Sequence, residues 1–428
     1  MKQAAITPIQ VGGRRLTNIA IEEVGAFTLP ASVLQGRSVR ASVLDVIDIS
    51  LDRHSDQWVL EAIGNIVTTE LMADDVRLEV RPKVSFDALY RLIQWANRFV
   101  DVLEDQNLSV KFADQVGLYD AFVQAFLDAL QGVLQKGWLP AMERRAIVSD
   151  SLSGHIEPIR SVEHIYTRME VAFHQIVNRM TFDVAANRVL RTALLGVAQS
   201  RYRIDSTLVD KACAILASMP QVRSFDDTRQ AIDACEYILK WRRVDLSRSY
   251  YYAALRASLL ILRATARADG GNVEFEDVPM RIAMPDTFEA AVRNVAAWGL
   301  ARTHAVLKGT GDRRVYSDSS DDSFNPALEP DILIHPLGMP YNFAAIFDAK
   351  YKDKPSPSDH YQLATYVAAY DVPLAGFITV TENPEEAGVR RIARLNEKTT
   401  IVEYAIYPGM LTQSMRGYVE WLRHTLRT

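Results

Sequence analysis

Cysteine is nearly absent from this chain. Of 428 residues only Cys213 and Cys235 are cysteine, which excludes a disulfide framework and a cysteine-based zinc site. No apolar run approaches the ~20 residues that a membrane helix needs. The start, Met1-Lys2-Gln3-Ala4-Ala5, lacks the apolar centre of a signal peptide. A reducing cytoplasm with no membrane attachment is therefore the expectation. A phosphate loop is missing too: Gly12-Gly13 and Gly270-Gly271 are not followed by Lys-Ser/Thr, so nucleotide hydrolysis is not expected of this chain. Nor do His and Cys fall anywhere at metal-ligand spacing. Finally, there is no basic excess. The net charge is −5, and from residue 281 onward 16 Lys plus Arg face 18 Asp plus Glu. A protein that holds nucleic acid unaided is usually basic, so this chain is not expected to do so alone.

What is present is an ordinary globular composition, 48% hydrophobic and 24% charged, long enough for two or three cores. The first 80 or so residues read as mainly β. Val43 to Ile49 alternates in part, Trp58 to Gly64 reads as a strand or short helix, and Val76 to Arg81 alternates cleanly before Pro82. From Ser85, a plausible N-cap, the period turns helical. Helices are expected over about Leu118 to Lys136 (ended by Gly137), Asp183 to Leu194, Leu208 to Ala217, Arg229 to Lys240 and Tyr250 to Arg267. Ser153 to Ile156 marks a turn into an extended piece. Asp269 to Asn272 reads as a linker turn, and Ser317 to Ser323 as a solvated acidic loop.

One segment of the helical region mixes cations with aromatics: Trp241, Arg242, Arg243, Arg248, Tyr250, Tyr251, Tyr252 and Arg256. Such side chains can stack bases and meet phosphates. The commoner arrangement is a helix pair with half-buried tyrosines and snorkelling arginines, and it is the reading taken.

The residues with the most chemistry lie between 329 and 370. Pro330-Asp331-Ile332-Leu333-Ile334 and Ala344-Ala345-Ile346-Phe347-Asp348-Ala349-Lys350 read as two strands, joined by a turn with Gly338 and Pro340, so a hairpin is expected. Asp348 and Lys350 are two apart and leave the same face, while Phe347, Ala349 and Tyr351 face a core. The hairpin brings Asp331 beside Asp348. Two carboxylates that close repel unless something positive joins them, and a hard divalent cation such as Mg²⁺ does so. The bland alternative is a solvated ion-pair ladder at a sheet edge. The apolar run before Asp348 argues against it, because a charged pair closing a buried strand is unusual without a task. Gln362 and Tyr366 lie four apart on the next predicted helix, one turn from each other. Before the hairpin, Met284 to Leu300 is expected to be helical, capped near Asp286 or Thr287. Glu289 on it reads either as a further ligand or as a first-turn helix charge.

This ordered set resembles the PD-(D/E)xK nuclease superfamily. Pro330-Asp331 matches the first half of its motif, Asp348-Ala349-Lys350 the second, and Gln362 and Tyr366 a Q-x-x-x-Y motif found in one branch. From about Arg81 onward the chain also resembles the McrC family, the nuclease subunits of McrBC-type, modification-dependent restriction systems. The similarity is carried by Arg81-Pro82-Lys83, Leu89 to Ala96, the turn Leu152 to Ile156, Phe182-Asp183 with Asn187-Arg188-Val189-Leu190, and Phe288-Glu289. At His155 the family usually has Arg, so a role for that turn is not carried over.

The resemblance implies a multidomain α+β protein. Joined to the β pattern of the first 80 residues, whose role the resemblance does not carry over, it gives a β-rich N-terminal module (1–83), a central α-helical partner-docking domain (84–275) and a C-terminal α/β PD-(D/E)xK nuclease domain with a mixed sheet (276–428). It implies a DNA endonuclease subunit using Mg²⁺, or Mn²⁺ in its place, held by Asp331 and Asp348, with Glu289 as an additional ligand. Lys350 would position the attacking water, and Gln362 and Tyr366 would support the site or touch the DNA backbone. The implied partners are a McrB-like AAA+ GTPase ring, whose GTPase this chain stimulates, and modified double-stranded DNA. A RecB-like repair exonuclease and a non-catalytic activator subunit are the alternatives.

Overall fold

The computed structural model describes the chain apart from residues 1, 12–13, 53, 98–117, 201–203, 270–280, 312, 316–324, 340, 396 and 427–428. The linker turn after Asp269, the acidic loop from Ser317 to Ser323 and Pro340 therefore lie outside the described residues. The chain forms two compact units, one made of Met1–Ala121 with Gly270–Thr428, the other of Phe122–Asp269.

The first unit begins with two sheets. One has the order Lys2–Gln3, Val24–Pro30, Gln57–Ile63, Ile47–Asp52; the other Arg281–Ala283, Asn65–Ala73, Val76–Arg81, Arg14–Glu22, Ala5–Val11. Alternation works as expected in Val76–Arg81, where Val76, Leu78 and Val80 are buried and Arg77 and Glu79 less so. Val43 to Ile49 is not one strand. Ala41–Leu44 is a helical turn, closed by Val46 N–H on Val43 O, and the strand starts at Ile47. The short strand Arg281–Ala283 pairs antiparallel with Asn65–Val67, so residues far apart in number share a sheet.

A six-stranded mixed sheet follows: β1 (His304–Leu307), β2 (Ile332–Pro336), β3 (Ala345–Ala349), β4 (Leu374–Val380), β5 (Gly388–Arg394) and β6 (Thr400–Ile406), in the order β1-β2-β3-β4-β6-β5. The hairpin β2–β3 is antiparallel, as the sequence predicts, while β3–β4 and β4–β6 are parallel. A parallel step needs a crossover, here the helix Pro357–Tyr370, which lies on one face with Leu363, Tyr366 and Val367 against Leu333, Ile346 and Phe377. Helices Met284–Leu300 and Leu411–Thr425 cover the other face, where Trp421 packs edge-on against Phe347. Burying both faces explains the unbroken apolar runs of β2, β3 and β4. In chain order these three helices are α1 (Met284–Leu300), α2 (Pro357–Tyr370) and α3 (Leu411–Thr425).

The two units divide the chain at 121/122 and 269/270. Helix Phe86–Asn97, capped by Ser85, belongs with α1: Asn294 donates to the carbonyls of Trp95 and Ala96, both at 2.9 Å. The cap of α1 differs from expectation. Ala283 is its N-cap, without a side-chain bond, and Thr287 bonds back to the Ala283 carbonyl instead.

The second unit packs helices Ala185–Ala198, Ser206–Ser218, Thr228–Lys240 and Tyr251–Asp269 around Leu190, Leu194, Ala212, Cys235, Leu255 and Ile261. It also holds a sheet that the sequence did not announce. Ala141–Ser149 and Phe173–Thr181 pair antiparallel along their length, with His155–Ile156 beside the latter. Ala141–Ser149 has no buried residue, so it carries no alternation to read.

Candidate active site

Asp331 stands one step beyond the last β2–β3 pair, Ile332 with Phe347, and so beside Asp348. Its position is fixed from two sides. The Ala349 N–H donates to Asp331 Oδ2 at 2.9 Å, and Arg293 of α1 donates to the Asp331 carbonyl at 3.0 Å. Gly309 N–H bonds the Pro330 carbonyl at 2.8 Å, and a side chain at Gly309 would drive into the Pro330 ring. The close approach that positions Pro330-Asp331 thus needs glycine.

Asp348 is 2% exposed. Its Oδ2 meets Lys350 Nζ at 2.7 Å, but no well-angled hydrogen bond reaches that oxygen. Lys350 also lies 3.6 Å from Asp359 Oδ1 and 3.4 Å from Gln362 Oε1. Gln362 in turn donates to the Tyr366 hydroxyl at 2.9 Å. Asp331, Asp348, Lys350, Gln362 and Tyr366 therefore converge on the α2 face of the sheet. Tyr351 points away, toward Phe288, and its hydroxyl donates to the buried Glu23 at 2.9 Å.

The electrostatics are uneven. Burial, then the neighbouring Asp348 charge, push the Asp331 carboxyl far above the usual carboxylate range. Burial works against the Lys350 charge, yet Asp348, Asp331 and Asp359 outweigh it and hold the ammonium on. Burial and the Asp348 charge raise the Tyr366 hydroxyl to about 12, so it stays a phenol.

Glu289 lies near enough for its charge to add to the upward push on Asp331. It lies in the second turn of α1, and Arg293 and Lys308 both pair with its carboxylate, Lys308 at 2.7 Å. Burial opposes its charge, but those two donors hold its pKa below the ordinary value. Among the described residues no three His, Cys, Asp or Glu side chains cluster as a metal site. Mg²⁺ does not require three, since it usually keeps waters and takes one or two carboxylates. Two crowded carboxylates, one with a buried oxygen lacking a hydrogen bond, fit that demand.

Sequence reasoning missed Asp359, Lys352, Arg293 and Lys308. Lys352 Nζ is 2.5 Å from Asp359 Oδ2, and Asp359 closes a capping box with Ser356. Burial raises the Asp359 pKa, but Lys352 and Ser356 more than offset it and hold the carboxyl well below its ordinary range. The signal was available: Ser356-Pro357-Ser358-Asp359 is the S-x-x-D pattern that precedes a helix. In the second unit, Arg188 grips Asp183 through Nε and Nη2 at 2.7 and 2.8 Å, and Arg223 Nε adds a bond at 2.6 Å. Asn187 donates to the Leu139 and Phe182 carbonyls and accepts from Tyr251. The Asp183, Asn187 and Arg188 segment is therefore a staple.

No curated protein matches the chain. Among solved structures it is similar to a chain of the refined half-complex from the tetradecameric assembly of Thermococcus gammatolerans McrB AAA+ hexamers with bound McrC. That likeness covers 95% of this chain and 99% of that one, at 14% identity and a TM-score of 0.55, and is one of fold. A chain of the Thermococcus gammatolerans McrBC complex aligns with 66% of this chain and 88% of its own length, at 13% identity and a TM-score of 0.40. The profile of the McrBC 5-methylcytosine restriction system component family matches residues 60–378, most of the chain. The protein therefore belongs to that family.

Proposed function

We propose that the chain is the cutting subunit of a McrBC-type restriction complex, a metal-dependent DNA endonuclease of the PD-(D/E)xK type that acts on modified DNA. The convergence of Asp331, Asp348 and Lys350 beside Gln362 and Tyr366 carries this reading. Family membership supports the restriction role but not the chemistry, which rests on the side chains.

Asp331 and Asp348 are the residues that would hold Mg²⁺ or Mn²⁺, whose contribution is to acidify a bound water and to stabilise charge on the scissile phosphate. Lys350 is surrounded by carboxylates and stays an ammonium, so it acts as a donor. It orients the water or meets a phosphate oxygen, and it is not the base. Gln362 accepts from Lys350 and donates to Tyr366, which fixes the lysine's direction. Asp359 and Lys352 supply a second, balanced ion pair next to it. Arg293 holds Asp331 by its backbone and leaves the carboxylate free.

The partner we assign is a McrB-like AAA+ GTPase ring; in the similar structure McrC is bound to McrB AAA+ hexamers. Its seat on this chain is the apolar surface of the second unit. Ile159, Tyr166, Met169 and Val171 are each at least 70% exposed there, a larger exposed apolar group than an unpartnered surface usually keeps. Asp348→Ala and Lys350→Ala should abolish cleavage and leave stimulation of the partner's GTPase intact. Ile159→Asp with Tyr166→Asp should do the reverse to assembly. Normal cutting by either active-site variant would sink the assignment.

A further inference from the structure

The cation-aromatic segment separates into two groups in the structure. Tyr250, Tyr251 and Tyr252 are structural: their hydroxyls bond the Gly137 carbonyl, Asn187 and the Val244 carbonyl. At the end of helix Thr228–Lys240, in contrast, Tyr237 and Trp241 keep 51% and 59% of their surface exposed. Each has a cation over its ring, Arg243 at 5.6 Å from the Tyr237 centroid and Lys240 at 5.5 Å from that of Trp241. Between them Arg242 has φ +46°.

That backbone belongs to a helix stop. The Trp241 and Arg243 N–H groups reach back to the Tyr237 and Ile238 carbonyls, both at 3.1 Å. Glycine is the residue such a left-handed position favours, so folding alone does not ask for arginine there. Of the acids nearby, Glu236 pairs with Arg263 and Asp245 caps the turn at Ser247. Asp233 is the remaining acid of this stretch, against the three cations Lys240, Arg242 and Arg243. The charge of the whole unit points the same way. Residues 122–269 hold 20 Lys plus Arg against 15 Asp plus Glu, while the remainder holds 28 against 38. The basic excess that the overall sum hides is concentrated in this unit.

We infer that Tyr237, Lys240, Trp241, Arg242 and Arg243 form a binding surface for an unpaired stretch of nucleic acid, with bases on the two rings and phosphates on the cations. A flat ring stacks any base, and a cation beside it tracks the backbone, so this combination is sequence-tolerant. The inference rests on the DNA-cutting function proposed above. It adds a second contact surface, in the unit that does not carry the candidate active site.

The test uses the full chain with Asp348→Ala, so that DNA stays intact, and reads binding of a labelled oligothymidylate and of a duplex of equal length by anisotropy. Trp241→Ala should weaken binding of the single strand about tenfold, and that of the duplex less. Arg242→Gly with Arg243→Ala should lower the slope of log affinity against log salt by about 2. Arg242→Gly alone should leave thermal stability equal or higher while binding falls, which a merely structural arginine would not do. Unchanged affinity in these variants, or a parent chain that binds neither probe, overturns the surface. In either case, cutting by the otherwise wild-type chain with its partner leaves the nuclease reading standing. If that cutting is absent, the nuclease reading fails, while the binding data still decide the surface.

Discussion

Asp183 and Asp331 are both aspartates at the edge of a regular element, and both come from short motifs, yet their surroundings are opposite. Asp183 takes bonds from two arginines and a backbone N–H, and Arg188 first, then Arg223, hold its pKa far below the ordinary carboxylate range. Asp331 has another carboxylate for a neighbour and is pushed the other way. The first site has its charge compensated by the fold. At the second, Lys350 pairs with Asp348, but Asp331 is left against a like charge, and burial with that neighbour favours its protonated form. The first arrangement staples a chain; the second, on the function proposed above, is where a cation would be held.

The sharpest way to break this contrast is Asp348→Ala. Cleavage should fall by at least about 10²–10³-fold, with thermal stability unchanged or raised, because removing it relieves repulsion at Asp331. A large loss of stability would mean that the pair is structural after all. Next in size is the metal itself. Mg²⁺ at about 100 times its Kd should stabilise the wild-type chain by about 2.7 kcal/mol, seen as a rise in Tm, and should do nothing for Asp348→Ala.

Asp183→Ala should cost about 2 kcal/mol, read by denaturant unfolding, because two arginines lose their acceptor; the cleavage rate per folded molecule should not change. The two aspartates should also differ in the sign of their pH dependence. Asp183 has a depressed folded pKa, so it stabilises the chain above its unfolded value near ~3.9 and loses that contribution as pH falls through the folded value. Asp331 has a raised folded pKa, so its contribution is full below ~3.9 and is lost as pH rises through the raised value. Asp331→Asn should accordingly gain stability over the wild type at neutral pH, by about 1 kcal/mol, and show no gain in acid. The mildest loss of cutting is expected from Gln362→Ala. It loosens Lys350 without removing it, and should slow cleavage by about tenfold, or about 1.4 kcal/mol.

The candidate site was legible because its residues lie on elements with strong patterns. β2 and β3 are largely apolar runs, with Asp348 inside β3 and Asp331 and Lys350 just outside the strands, and the four-residue spacing of Gln362 and Tyr366 sets both on one helix face. Glu289 was not fixed by sequence, since its fate depends on Arg293 one helical turn on and on Lys308 after the helix. Lys308 is a neighbour only in three dimensions. The sheet containing Ala141–Ser149 was illegible for a different reason. A strand exposed on both faces shows no period, so nothing in its composition separates it from a loop. Charge was misleading when summed over the chain, because the acidic unit outweighs the basic one. The tyrosines at 250 to 252 did follow the commoner expectation.

The short strand Arg281–Ala283 has a consequence for the order of assembly. It supplies the edge of a sheet whose other members were made more than 200 residues earlier. The ribosome must finish the whole intervening unit before that sheet can be completed, and Asp331, Asp348 and Lys350 emerge later still. A product of interrupted synthesis that ends before Asp331 carries none of the three.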